Sequence, residues 1–433
     1  MPFSDLDPGQ IAYFYPAAEL PLAESVEPDR GFVRIDGPWC VVDVLDEHGP
    51  FSSRPREVPR DIVALTPTDS LILHEVVANG GRTTSGYRAS SLSYRSRTIL
   101  GATLHGVRSM DPTELVAKFH GISRWAGLSA LEERQTIESS RWREVTVTVR
   151  SEDVTKVESL TRRRELTLSP DWSVSGPEDR REVSAPVAFG CRSDRPQEVW
   201  SLLQPLIAVQ SLISLAYGGF VAASSGAAGL SYMESERSPS TPWLWSGALM
   251  TAAPGARKPD QNAFPLFDLA TLGGLAGLRR WIDWTVNRPR VINPLIWRYR
   301  MGPASAPVSL MEVAAGIEYF VKISRPAAWA ATSGKARWPE QLARRVGEGF
   351  LTWIGDVDRW APMFWETYNQ FKHGTETTLD HDDPAVWLLA ESGRYLLAGA
   401  VADRIALTKA PSRMMFAGPM LNNLGTQVRQ LLK

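Results

Sequence analysis

Asn369 and His373 stand four residues apart in the stretch YNQFKHGTETT, residues 368 to 378. On a helix that spacing sets a carboxamide and an imidazole on one face, one turn apart. An imidazole titrates near neutral pH and can take up and return a proton, while a carboxamide orients a hydroxyl or a phosphate oxygen beside it. Such a pair suits proton transfer at a phosphate or a sugar. The same residues fit a plainer role, in which His373 and Gly374 close a helix and the imidazole caps free carbonyls. Tyr368 offers a single neutral hydroxyl, and Lys372 brings a positive charge about 100° round the helix from His373.

Other chemistries lack their usual parts. The chain holds no GxxxxGK[ST] loop, no GxGxxG after a strand, no GxSxG elbow and no HExxH helix. Cys40 and Cys191 are its two cysteines and form no CxxC pair, which argues against a zinc site and a disulfide framework, so neither metal nor cofactor is expected. His48, His74, His105 and His120 fall in turns or near expected strands and read as structural. His381 lies in the acidic LDHDDP, where Asp380, Asp382 and Asp383 read as caps for a helix starting at Pro384 more readily than as metal ligands. The arginine triplet 162 to 164 is flanked by Glu158 and Glu165 and reads as a solvated face. With 47 basic against 48 acidic side chains there is no global field to draw in nucleic acid, so any RNA contact must be local. The 16 tryptophans read as fillers of cores and interfaces before base-stacking platforms.

The elements that must carry these residues form an α+β fold of two parts. At 433 residues the chain exceeds one ordinary core. Through residues 1–265 the runs GFVRI (31 to 35), SLILHEVV (70 to 77), RTILGATLHGV (97 to 107), EVTVTVR (144 to 150) and ELTLSP (165 to 170) alternate apolar and polar residues between turn formers, which predicts a sandwich or barrel-like sheet. In EVTVTVR the spacing sets Val145, Val147 and Val149 on a face that meets a core. A buried helix near 196–217 interrupts the strands, with Pro196 in its first turn and Gly218 and Gly219 at its end. Residues 266–433 read as a helical bundle, with helices over 266–287, 309–324, 339–360, 362–374, 384–407 and 420–432. The start, MPFSDLDPGQ, lacks a basic and apolar signal, and no run approaches the roughly 20 uncharged apolar residues that span a bilayer, so a soluble, cytoplasmic protein is expected.

A β-rich module followed by a bundle carrying YNQFKHG resembles the ApeA-type proteins of bacterial anti-phage abortive infection, which join an ApeA N-terminal domain to an ApeA-like HEPN domain. The likeness lies in RTILGATLHGV with ELVAKFHGISRWAGL (114 to 128), in EVWSLLQPLIAVQSLISLAYGG, and in GIEYF (316 to 320) with its Glu318. It implies an N-terminal domain that senses or regulates in response to a phage-derived trigger, and a HEPN domain that dimerises and cleaves RNA without a metal. In HEPN ribonucleases an arginine is followed by a polar residue and, four to six residues after the arginine, by a histidine. Asn369 matches the polar position and His373 the histidine, while Tyr368 replaces the arginine. The resemblance thus implies His373 as the proton-transfer residue, Asn369 as an orienting donor, and Tyr368 and Lys372 as phosphate contacts. Arg394, from the same or a partner subunit, would stand in for the missing guanidinium. RNA, with exposed loops such as those of tRNA, is the implied substrate. A catalytically degenerate HEPN-type module that binds RNA or a protein is the alternative.

Overall fold

The computed structural model describes residues 11–17, 29–46, 58–65, 70–83, 90–101, 109–129, 131–138, 141–149, 156–231, 242–257, 259–260, 264–325, 327–331, 334, 337–374 and 383–433. Fourteen strands form one antiparallel sheet. From edge to edge they run Lys156–Ser159, Arg164–Pro170, Val187–Ser193, Glu114–Phe119, Ser225–Gly229, Trp243–Ser246, Thr98–Gly101, Ser70–His74, Asp61–Leu65, Ile11–Ala17, Asp29–Asp36, Trp39–Asp46, Ser90–Ser96 and Val77–Thr83. The strand Trp39–Asp46 comes back against Thr98–Gly101, five places away in sheet order, so this half of the sheet curls over on itself.

The two-residue period of a strand explains how one sheet serves two cores. Ile62 and Ala64, Leu71 and Leu73, and Ile99 point into a core enclosed by the curled half, together with Phe14, Val42 and Val44. Their alternates Val63, Ile72 and Leu100 point the other way, into a larger core shared with the helices. Strands buried on both faces carry unbroken apolar runs, as ILIL-type segments such as Leu71–Leu73 do.

The helices are α1 (Ser123–Ala126), α2 (Val199–Tyr217), α3 (Gly247–Met250), α4 (Gly274–Asn287), α5 (Pro289–Met301), α6 (Ala306–Ile323), α7 (Trp338–Val346), α8 (Glu348–Ile354), α9 (Val357–His373), α10 (Pro384–Ala406), α11 (Ala410–Ala417) and α12 (Asn422–Leu431). No strand follows Ser246 among the described residues. The expected α+β order, a large sheet and then a helical bundle, is the observed one. α2 packs against the strands Glu114–Phe119 and Val187–Ser193 on one side and against α4 and α5 on the other. By length and composition α2 is the one described helix that suffices to cross a membrane, and most of its surface is buried in this core.

Several local expectations are corrected. The strand Arg141–Val149 pairs with Leu131–Glu138 in a separate two-stranded ribbon, and Val147 is 47% exposed, so that valine does not face a core there. α2 starts at Val199, so Pro196 lies before the helix instead of in its first turn. The stretch 266–273 is a series of turns, and helix begins only at Gly274. The run 339–360 is broken twice, because Gly347 (φ 100°) and Gly355 (φ 85°) adopt the positive φ that a helix interior excludes and glycine tolerates. α5 and α11 were not expected at all. His48, His105 and His381 lie outside the described residues.

Candidate functional site

The helix that carries the motif is held by its own ends. Asp356 caps α9 by accepting from the Arg359 N–H, and Gly374 in the left-handed region (φ 62°) ends it directly after His373. Its buried side, Trp360, Phe364, Trp365 and Tyr368, locks into the aromatic core. Trp360 stacks near Phe364 with ring centres 5.3 Å apart, and Trp338 meets Trp365 edge-on at 6.1 Å. Trp125, Trp245, Trp281, Trp338, Trp353, Trp360 and Trp365 are core residues, whereas Trp172, Trp200, Trp297 and Trp387 are exposed.

The motif residues divide between two faces. Tyr368 is buried and Lys372 exposed; they lie one turn apart, and the Lys372 ammonium sits 5.1 Å from the centre of the Tyr368 ring. The hydrogen bond to the Tyr368 hydroxyl, followed by its charge, raises the Lys372 pKa above 10.5. Both line a groove of about 450 Å³ between α5, α6 and α9. Arg290, Lys322 and Lys372 bring three cations to this groove, against the carboxyls of Glu312 and Glu318. Lys322 is paired with Glu318 at 2.7 Å, and burial raises the Glu312 pKa, which favours its neutral form. The balance is locally positive on a chain whose formal net charge is -1.

Asn369 is half-buried and His373 exposed at the helix end. Five residues of helix turn His373 about 140° from Tyr368, so the imidazole lies beyond the groove wall that Tyr368 and Lys372 build. Arg394 is not brought to this groove. It is 4% exposed on α10, where its guanidinium is bound to Glu391, which also accepts from Arg298 of α5 at 2.6 Å. These three groups line a second pocket of about 160 Å³ between α5, α6 and α10, adjoining the groove through Pro294, Trp297 and Glu312. A further cavity of about 480 Å³ lies around Asp403 and Arg404 and contains none of the residues nominated from sequence.

Sequence reasoning missed Arg290, Asn293, Trp297 and Arg298, because it missed α5. A signal was present: Pro289 at the first helical position and Val291, Ile292, Leu295, Ile296 and Tyr299 at helical spacing. Among the described residues no three of His, Cys, Asp and Glu gather as a metal site would require. The groove offers cations and the Asn293 amide for phosphate, and the His373 imidazole lies beyond its wall.

Residues 41–281 match the family described as ApeA N-terminal domain 1, a span reaching from the strand Trp39–Asp46 into α4. No curated protein and no solved structure matches the chain.

Proposed function

The chain belongs to the ApeA N-terminal domain 1 family, whose ApeA-type proteins act in anti-phage defence, and from that premise we propose that its helical bundle is a HEPN-type, metal-independent endoribonuclease. One observation carries the reading: Lys372 lines a cationic groove and immediately precedes the exposed His373. A groove of about 450 Å³ is large enough for a nucleotide of a single strand, with Arg290, Lys322 and Lys372 against its phosphates.

In this reading the ribose 2′-hydroxyl attacks the adjacent phosphorus and the bond to the 5′-oxygen breaks. The products are a 2′,3′-cyclic phosphate and a 5′-hydroxyl. His373 moves the proton, Asn369 orients the reacting groups, and the charge gathering on phosphate oxygens is met by Lys372, with Tyr368 beneath it. Arg394 supports the site from the adjoining pocket. The N-terminal domain answers a phage-derived trigger, and the protein works in the cytoplasm as a homo-oligomer on RNA such as tRNA.

Purified protein incubated with total bacterial RNA in EDTA tests this. Fragments ending in cyclic phosphate, absent with His373→Ala at unchanged thermal stability, are expected. Cleavage retained by that variant removes His373 from the mechanism.

A second reading draws on a specific feature. Tyr368, in the arginine's place, is buried, and Arg394 is tied to Glu391, so neither position supplies a free guanidinium to His373. That arrangement suits a degenerate module that binds RNA or protein. RNA binding without cleavage in the same assay selects it.

A further inference from the structure

The pocket between α5, α6 and α10 has a charge arrangement that its own residues leave incomplete. Two guanidinium groups, Arg298 and Arg394, share the single carboxylate of Glu391. Arg394 is 4% exposed, yet its Nε and Nη1 have no acceptor among the described residues, and neither does the buried hydroxyl of Tyr299 nearby. Buried donors of this kind almost always find a partner, and a guanidinium has five N–H groups to satisfy. The other carboxyl on the described wall, Glu312, has its pKa raised by burial and accepts from neither guanidinium in any described hydrogen bond.

The mouth of the pocket differs from its floor. Trp297 and Trp387 line it and are 48% and 44% exposed, whereas the indoles of Trp281, Trp338 and Trp360 are buried in the core. Met301 beside them is more exposed still. Exposed indoles flanking a buried cationic floor suit a ligand with an anionic end and a planar ring. The volume, about 160 Å³, is below the several hundred Å³ of a site enclosing a whole nucleotide, so it takes only the anionic group, and the ring must lie on the indoles outside.

We propose that this pocket binds the terminal phosphate of a base-bearing molecule, with Arg394 and Arg298 holding the phosphate and Trp297 and Trp387 stacking on the base. The phosphate gives the free Arg394 nitrogens their acceptors. The molecule is either a free mononucleotide or the phosphorylated end of a strand. The latter has a ready path, since Trp297, Pro294 and Glu312 also border the groove beside Lys372.

Calorimetric titration of the full chain with each of the four ribonucleoside 5′-monophosphates tests the proposal. Saturable binding of at least one is expected, with its nucleoside and inorganic phosphate each at least tenfold weaker. Arg394→Lys keeps the charge facing Glu391 but loses the planar fork, and should weaken binding at least tenfold. Trp387→Ala removes an exposed ring that the core does not need and should do the same. A 5′-phosphorylated tetraribonucleotide and its dephosphorylated form decide the source. A phosphorylated strand binding more tightly than the mononucleotide identifies a strand end, and equal affinity identifies a free nucleotide. Absence of saturable binding by any mononucleotide and by the phosphorylated strand overturns the proposal, as does binding undiminished in both variants. His373→Ala should leave this binding intact, so failure of the cleavage reading and failure of the pocket are told apart.

Discussion

Arg300 of α5 donates to the Gln210 side-chain oxygen of α2 at 2.7 Å, in an interior where no carboxylate meets the guanidinium among the described residues. The other donations go to Ser211 Oγ at 3.1 Å and to the carbonyls of Ala248 at 2.8 Å and Ile207 at 2.9 Å. Gln210 in turn donates to the Val221 carbonyl at 3.0 Å. Burial lowers the Arg300 pKa to about 10, so the cation is held by neutral oxygens alone. This network ties the helix under the sheet to the helix that walls both pockets. Arg300→Ala leaves several buried acceptors without donors and should cost about 3 kcal/mol. Thermal or urea unfolding checks it, and a loss below about 0.5 kcal/mol would show that water replaces the guanidinium.

Asp61 gives the sheet a pH dependence. Burial opposes its ionisation, but the adjacent His74, with Nδ1 at 3.3 Å, the Glu75 N–H and Arg60 outweigh burial and hold the carboxyl below its ordinary 3.8. A depressed acid contributes stability that is fully present above about pH 4 and is lost as pH falls through its folded value. Asp61→Asn should therefore lower Tm at pH 7, and the gap to the parent protein should narrow below pH 4. A gap that stays constant with pH would locate the effect in packing.

What the sequence displayed, and what it hid, follows from how each signal is encoded. The strands at Asp29–Asp36 and Arg164–Pro170 were legible because alternation is a local pattern. The ribbon valines alternate equally well, but alternation alone does not say whether anything covers the face, and Val147 is exposed. α5 was hidden by Pro294 in its interior and by three arginines among its residues, although its apolar spacing was sound. Of the candidate site, the shared turn of Tyr368 and Lys372 could be read from spacing, whereas the place of Arg394 could not. Every residue of α10 from Leu389 to Asp403 is buried, so the helix has no polar stripe from which to judge a charge. Glu391, three residues before Arg394, was the available sign that this arginine is paired internally.

The contact between α9 and α10 rests on an absent side chain. A Cβ on Gly393 would stand 2.4 Å from Phe364 Cε2, and Phe364 is fully buried, so the ring has nowhere to yield. Gly393→Ala should cost about 1–3 kcal/mol through overpacking. Because Phe364 lies one helical turn before Tyr368, the displaced ring should also shift the groove wall and lower RNA affinity. Denaturant unfolding measures the first effect and a filter-binding titration the second. Unchanged stability would mean that the helices separate at no cost, contrary to the close approach.

Lys372 separates an electrostatic role in the groove from a structural one. It is exposed, and its ammonium covers the Tyr368 ring without entering the core, so Lys372→Ala should leave Tm within about 1 °C of the parent protein. Its loss removes one of the three groove cations, and the salt dependence of RNA binding should flatten by close to one counterion. In a water-excluded site a lost donor costs about 10²–10³ in rate; at this exposed position roughly tenfold is expected. Lys372→Arg should restore binding, since a guanidinium can meet the same phosphate. An alanine variant that binds RNA with unaltered affinity and salt slope would place the phosphate path elsewhere on the bundle, and a variant that fails to fold would show that the lysine supports Tyr368 instead.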